Sequence, residues 1–290
     1  MLTGEMFDNV IVGVDDEDAG RDAVGLATRL ASGKRPLALA YVEVVALTPP
    51  DSAGTSQSAD CRRAMQRLAS LAAAAGIDAE VSCAQARSVA SGLHALGISR
   101  RADLLVIGAS RRDEFDRALV GDGTRDVMRH APCAVAVAPK GFATRPPVMR
   151  KIGVAYDGSP ESEQALALAR RLAREQGAEL SAFHAVPEPD YAERRPTGAR
   201  LVNDPWSAQA EIDEAVEQAR SQIAQLGDVE PHATSGDAAT ELARYGASVD
   251  LLIIGSHDDT PLEAWMSVQT TAQRLADSPP CPLVVLASRA

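Results

Sequence analysis

The chain carries one long internal repeat, and this repeat limits what it can fold into. The paired segments keep their order, and their offsets are 142, 147 and 148 residues. Solenoid units recur at about 20–50 residues, so a repeat of this length indicates a duplicated domain. The pairs are VIVGVD (10–15) with KIGVAYDGS (151–159), ADLLVIG (102–108) with VDLLIIG (249–255), and APCAVAV (131–137) with PCPLVV (280–285).

The length agrees with a duplication, because 290 residues suffice for two domains of ordinary size. We expect a first domain over residues 1–140, a linker over 141–150 and a second domain over 151–290. Gly141, Pro146 and Pro147 predict that the linker is a short exposed connection. A longer polar, proline-rich stretch at 187–205 predicts a mobile loop at the carboxyl edge of the second sheet.

The net charge of -11 is concentrated in the second half. Residues 1–148 hold 17 basic and 18 acidic side chains, and the remainder holds 12 and 22. Proteins bind phosphate backbones through Lys and Arg, so this balance argues against nucleic acid as a partner.

Four cysteines, Cys61, Cys83, Cys133 and Cys281, are present, and none forms a CxxC pair. No histidine stands beside them at metal-ligand spacing, so we assign no metal site. Cys133 and Cys281 take equivalent positions before the last strands, which indicates buried structural thiols. The sequence shows neither a signal peptide nor an apolar run of about 18 residues, so we expect no membrane association and a reducing, cytoplasmic setting.

Short apolar runs alternate with helical patterns in both halves, giving the order β-α-β-α-β-α-β-α-β twice. The runs are continuously apolar, which indicates strands covered on both faces and therefore a parallel sheet. Right-handed crossovers then predict, for each half, an open five-stranded sheet with helices on both faces.

Ligands of such sheets bind at the carboxyl ends of the strands, near the point where the strand order reverses. Asp15 and Asp157 follow the first strand of each half, and Gly108 and Gly255 end the fourth. A carboxylate there accepts hydrogen bonds from ribose hydroxyls, and a glycine lets the backbone approach a phosphate. A structural role for the two aspartates, bonding turn amides, remains an alternative.

The repeated segments, together with His184 after the second strand of the second half, make the chain similar to the universal stress protein (UspA) family, as a tandem member. The resemblance covers nearly the whole length. It implies two Rossmann-like domains of the adenine nucleotide alpha hydrolase-like type. It also implies that the last strands, 134–138 and 283–286, pair within the chain as an internal pseudo-dimer; a homodimer of chains is left open.

Family members that bind ATP carry Gly-x2-Gly-x9-Gly followed by Ser or Thr after the fourth strand. In the first half Gly108 and Gly121 match the outer glycines, but Arg111 replaces the middle glycine and Asp122 replaces the Ser or Thr. Thr124 keeps a hydroxyl nearby. Asp258 replaces the middle glycine in the second half, where Val268 and Gln269 also replace the closing Gly-Ser pair, so that this site lacks its hydroxyl. Side chains at these positions oppose a triphosphate, unless Arg111 binds a phosphate itself instead of pairing with its acidic neighbours.

We therefore predict a non-enzymatic stress-response scaffold or ligand sensor with degenerate ATP motifs, acting with unidentified protein partners. The alternative is an ATP- or AMP-binding sensor with slow ATPase activity in the first half. No cofactor is assigned, although the resemblance allows ATP or another adenine nucleotide, and no residue is assigned a catalytic role. The candidate nucleotide-binding residues are Gly13, Asp15, Val42, Ile107, Gly108, Arg111, Gly121, Thr124, Asp157, Ala185, Ile254, Gly255, Ser256 and His257.

Overall fold

The computed structural model describes residues 7–15, 17–45, 58–109, 123–129, 131–146, 148–188, 205–255 and 270–286. The predicted loop at 187–205 lies mostly outside these ranges. The strands are β1 (Val10–Gly13), β2 (Leu37–Val44), β3 (Ala79–Ala86), β4 (Leu104–Gly108), β5 (Ala134–Ala138), β6 (Lys151–Ala155), β7 (Glu179–Val186), β8 (Glu230–Ser235), β9 (Leu251–Gly255) and β10 (Leu283–Leu286). The helices are α1 (Glu17–Leu30), α2 (Ala59–Ala75), α3 (Val89–Arg100), α4 (Gly123–Met128), α5 (Pro160–Gln176), α6 (Pro205–Ala224), α7 (Ala238–Gly246) and α8 (Thr271–Asp277).

The ends of several helices follow directly from local side chains. Ser58 begins α2, with its side chain accepting a hydrogen bond from the Cys61 amide, and Gly76 ends it at φ 65°. Ser159 begins α5 in the same way, and Gly177 ends it at φ 63°. Serine satisfies an amide that the first turn leaves unpaired, and glycine adopts the left-handed conformation of the helix end at little cost.

All ten strands form one sheet in the order β3-β2-β1-β4-β5-β10-β9-β6-β7-β8. Neighbouring strands within each half are parallel, which confirms the two predicted five-stranded parallel sheets. β5 and β10 pair antiparallel, with Ala136 opposite Val284, so the last strands of the two halves meet as the resemblance implied. This pairing removes one edge strand from each half-sheet.

Two hydrophobic cores lie on the two faces of the sheet. Successive side chains of a strand point to opposite faces, so Val10 and Val12 enter one core and Ile11 enters the other. The first core holds side chains from α1, α2, α5 and α6, whereas the second holds side chains from α3, α4, α7 and α8. The predicted doubly wound arrangement, with helices on both faces, is therefore confirmed.

The segment between the halves is anchored more firmly than we predicted. Its 3-10 turn (Phe142–Thr144) packs on α1, and the side chains of Phe142 and Met149 are each only 2% exposed. The buried carboxylate of Asp22 accepts hydrogen bonds from the amides of Gly141 and Ala143, both at 2.8 Å. The exposed connection that the sequence predicted is therefore wrong for Phe142 and Met149. The domain boundaries at 140 and 151 stay predictions.

The cysteines divide into one bonded pair and two free thiols. Cys61 on α2 and Cys83 on β3 form a disulfide, which the sequence did not predict, with their Cα atoms 5.6 Å apart. Cys281 is buried and free, as predicted, and Cys133 is free but only half-buried. Burial raises the pKa of each free thiol to about 12. Among the described helices, none has the length and apolar character needed to cross a bilayer.

Candidate functional site

The first half has a crevice where β1 and β4 end side by side. Val10, Ile11 and Val12 pair with residues 104–106, which brings the residues after these strands together. The crevice has a volume of about 350 Å³, and it contains six of the eight residues that we predicted for this half. These six are Gly13, Asp15, Val42, Ile107, Gly108 and Thr124.

The lining of this first crevice is mainly apolar. Val42, Leu93 and Ile107 form much of the wall, Thr124 is 5% exposed, and the Asp15 side chain stands exposed at the rim. Among its described lining residues there is no Lys, Arg or His. Such a wall suits a flat, uncharged group with hydroxyls near Asp15 better than it suits a row of phosphates.

Four of the predicted site residues, Arg111, Gly121, Ser256 and His257, lie outside the described residues. The idea that Arg111 takes over a phosphate contact therefore stays a prediction, as does a ligand contact of His257.

Gly108 and Gly255 have a packing reason that the sequence analysis missed. A Cβ on Gly108 would lie 2.5 Å from the carbonyl oxygen of Ala19 on α1. A Cβ on Gly255 would lie 2.5 Å from the carbonyl of Glu161 on α5. Each glycine therefore lets the first helix of its half cross closely over the end of the fourth strand, whether or not a phosphate approaches.

The second half repeats the crevice with a volume of about 310 Å³. Four predicted residues, Asp157, Ala185, Ile254 and Gly255, line it. The Asp157 carboxylate accepts a hydrogen bond from the Ser159 amide at 3.0 Å, in the turn before α5. This contact supports the alternative that Asp157 has a structural role in the turn.

The floors of the two crevices differ by one large side chain. Gly13 pairs with Ala40 in the first sheet, and the equivalent Ala155 pairs with Phe183 in the second. Phe183 stacks on Tyr245 with ring centroids 4.7 Å apart, and the Tyr245 hydroxyl shares a 2.5 Å hydrogen bond with the Ser181 hydroxyl. The phenyl ring thus lies on the floor of the second crevice, where the first has only a methyl group.

The second crevice also contains polar side chains that were not among our candidate site residues. His184 lines it and is half-buried; burial lowers its pKa, and the nearby Asp157 carboxylate acts in the opposite direction. Gln269 stands where the family pattern has its closing hydroxyl, but the next two residues, Thr270 and Thr271, both line the crevice. The Thr270 hydroxyl also caps α8 by accepting a hydrogen bond from the Gln273 amide at 3.3 Å.

Two doubly wound α/β domains with a crevice at each switch point, joined through their last strands, define a tandem protein of the Rossmann-like class. The sequence matches the Universal stress protein family (Usp) over residues 6–139 and again over 149–287. The chain belongs to the universal stress protein family.

Relatives from mycobacteria share this organisation at low identity. The chain is 28% identical over 258 residues to the universal stress protein Rv2005c of Mycobacterium tuberculosis, covering 86% of each protein. It is 27% identical over 208 residues to the universal stress protein Rv2623 of the same species, covering 67% of this chain and 68% of that protein.

Solved structures agree with the fold. A universal stress protein from Archaeoglobus fulgidus superposes with a TM-score of 0.65 at 17% identity, over 96% of both chains. A universal stress protein from Pseudomonas aeruginosa superposes with a TM-score of 0.63 at 18% identity, over 97% of this chain and 93% of that one. At these identities the likeness supports the architecture alone.

Proposed function

We propose that this chain is a non-enzymatic stress-response protein that senses a small ligand through its first crevice. The ligand is of nucleoside or nucleoside monophosphate size, with a flat base against Val42 and Ile107 and ribose hydroxyls at Asp15. The second half acts as a scaffold in this proposal. Protein partners read the liganded state.

The observation that carries the proposal is the chemistry of the first crevice wall. It is apolar, it has one carboxylate at its rim, and its described lining residues carry no cation. A carboxylate repels phosphates but accepts hydrogen bonds from hydroxyls. Its volume of about 350 Å³ is at the small end of the range for ligand pockets, roughly 300–1,000 Å³.

Calorimetric titration of the chain with adenosine, AMP, ADP and ATP tests this proposal. We expect adenosine or AMP to bind more tightly than ATP. Asp15→Asn should weaken adenosine binding by about tenfold, the equivalent of roughly 1.4 kcal/mol for one charged hydrogen bond. The matched variant Asp157→Asn, at the equivalent position of the second half, should leave it unchanged. Tight ATP binding that survives in Asp15→Asn would contradict the proposal.

A second candidate, an ATP-binding sensor with slow ATPase activity, is favoured by one observation. Asp15, the first pattern glycine Gly108 and the nearby hydroxyl residue Thr124 line the same crevice. This candidate expects stoichiometric ATP on the purified chain and phosphate release that stops in Gly121→Glu. Circular dichroism of Gly121→Glu would confirm that the fold is intact.

A further inference from the structure

The disulfide lies beside a carboxylate. Cys61 lies in the first turn of α2, Cys83 lies on the edge strand β3, and Glu43 lies on the neighbouring strand β2. One carboxylate oxygen of Glu43 is 3.4 Å from the Cys61 sulfur. The two sulfurs and the carboxylate oxygen all lie within 4.8 Å of one another. Among the described residues, no other group of three Cys, His, Asp or Glu side chains brings its possible ligand atoms this close together.

Neighbouring side chains hold the carboxylate in place. The Ser58 hydroxyl donates to the two oxygens of Glu43 at 2.8 and 2.9 Å. The Gln85 amide donates to one of them at 2.8 Å. Protein metal ligands are commonly fixed by such secondary hydrogen bonds, which orient the ligand before the ion arrives.

We propose that Cys61, Cys83 and Glu43 form a redox-gated zinc site: the disulfide excludes the ion, and the reduced pair binds it. Tetrahedral zinc has bonds of about 2.3 Å to sulfur and about 2.0–2.2 Å to carboxylate oxygen. Its ligand atoms then lie roughly 3.5–4 Å apart. In the disulfide form all three atoms already lie within 4.8 Å of one another, so the two bonded sulfurs need only separate on reduction. Two thiolates and a carboxylate are also ligands that zinc accepts readily.

The chemistry balances in two steps. A dithiol reductant supplies two electrons and two protons, the Cys61–Cys83 bond breaks to give two thiols, and the reductant becomes a disulfide. Zinc then displaces both thiol protons and takes two thiolates and the Glu43 carboxylate as ligands. Water fills the fourth position, as it does in zinc sites with three protein ligands.

This site departs from the sequence-based expectation that the chain binds no metal. The two cysteines are 22 residues apart in the chain, so no short motif joins them. Glu43 comes from a third element, and only the pairing of β2 with β3 and the packing of α2 bring the three together.

The test counts zinc on the full chain in both redox states, with Zn²⁺ alone as the probe. The chain is incubated with Zn²⁺, freed of excess ion, and analysed by elemental and native mass spectrometry. We expect one zinc per reduced chain and none per disulfide-bonded chain. A reduced chain whose Cys61 and Cys83 thiols react with a thiol reagent, yet which binds no zinc, would overturn the proposal.

Matched variants locate the ion. Cys83→Ser should abolish binding, and Glu43→Gln should weaken it by about tenfold or more. Cys133→Ser, which removes a free thiol elsewhere, should bind as the parent does. Zinc retained by Cys83→Ser, or lost from Cys133→Ser, would contradict the assignment.

Cobalt gives a readout that does not depend on any variant folding. Co²⁺ bound by the reduced parent chain should show the near-ultraviolet charge-transfer absorption of cobalt bound to thiolates. The disulfide form should show none. Cobalt binding without that absorption would place the ion elsewhere and overturn the proposal.

Discussion

Arg125 on α4 forms an ion pair with Asp277 on α8 across the junction between the two halves. The Arg125 Nε lies 2.8 and 3.1 Å from the two carboxylate oxygens, and a terminal guanidinium nitrogen also contacts the carboxylate. The repeat offset of 148 puts Gln273 and Arg129 at the equivalent positions, so this ion pair is not duplicated. If two copies of the first half paired in the same way, Arg125 of one copy would face Arg129 of the other, and the two positive charges would repel. The junction therefore favours two unlike halves.

Removing the Asp277 carboxylate should destabilise the fold. Its side chain is 16% exposed and that of Arg125 is 28% exposed, so the pair is better shielded than a surface ion pair. We expect Asp277→Ala to lower the free energy of unfolding by about 1.5–3 kcal/mol in chemical denaturation. The control Glu217→Ala breaks an exposed pair with Arg220 and should cost about 0–1 kcal/mol. Equal losses in the two variants would count against this role.

A methyl group at Gly108 should be costly even without ligand. Its Cβ would lie 2.5 Å from the backbone oxygen of Ala19, and neither strand nor helix can yield cheaply. We expect Gly108→Ala to reduce the free energy of unfolding by about 1–3 kcal/mol. Gly123→Ala is the control, because a Cβ there meets nothing within 4 Å. A fully stable Gly108→Ala would refute the packing explanation.

Asp22 should secure the connection between the halves. Its carboxylate accepts hydrogen bonds from two backbone amides of the linker turn, and the residue is only 7% exposed. Asp22→Ala leaves both amides without that partner, so we expect a loss of about 1.5–3 kcal/mol in unfolding free energy. Faster proteolysis between Pro139 and Lys151 should accompany it, whereas Asp18→Ala, on the exposed side of α1, should leave the linker protected.

His184 should make stability fall in mild acid. Burial lowers the pKa of its imidazole below the ordinary value of 6.5, so around that pH the unfolded chain binds a proton that the folded chain does not. The stability contribution is therefore full above about pH 6.5 and declines below it. Unfolding free energies measured between about pH 5 and 8 should fall less steeply with acid in His184→Gln than in the parent chain.

The same histidine gives a direct spectroscopic check. Burial lowers the pKa of His184, and the nearby Asp157 carboxylate partly offsets this effect by favouring the protonated imidazole. We therefore expect Asp157→Asn to lower that pKa further, as followed by NMR titration of the imidazole. An upward shift would show that Asp157 and His184 do not interact as the crevice geometry indicates.

The fold could be predicted in detail because its signals are local and repeated. The last strands of the two halves, Ala134–Ala138 and Leu283–Leu286, have the bounds that we expected from the sequence. The linker could not be predicted as well. Its Gly and Pro residues indicate a turn, but Phe142 is buried against α1, where the Asp22 carboxylate accepts hydrogen bonds from the amides on either side of it.

Only the part of the site that lies at the strand ends could be predicted from the sequence. Residues placed by strand ends, such as Asp15 and Gly108, line the expected crevice. Contributions from helices crossing the sheet, such as Leu93 on α3, were missed because no short motif marks them. The stacking of Phe183 on Tyr245 joins residues 62 positions apart in the chain, so only the assembled fold reveals it.

The β5–β10 pairing also changes how the two crevices can vary. In a symmetric dimer of identical chains, one mutation alters both sites at once, so neither can drift while the other is preserved. Here each half has its own codons, and a phenylalanine can enter one floor while an alanine stays in the other. Fusion also fixes the two kinds of crevice at a ratio of one to one in every molecule, however much of the protein a cell makes.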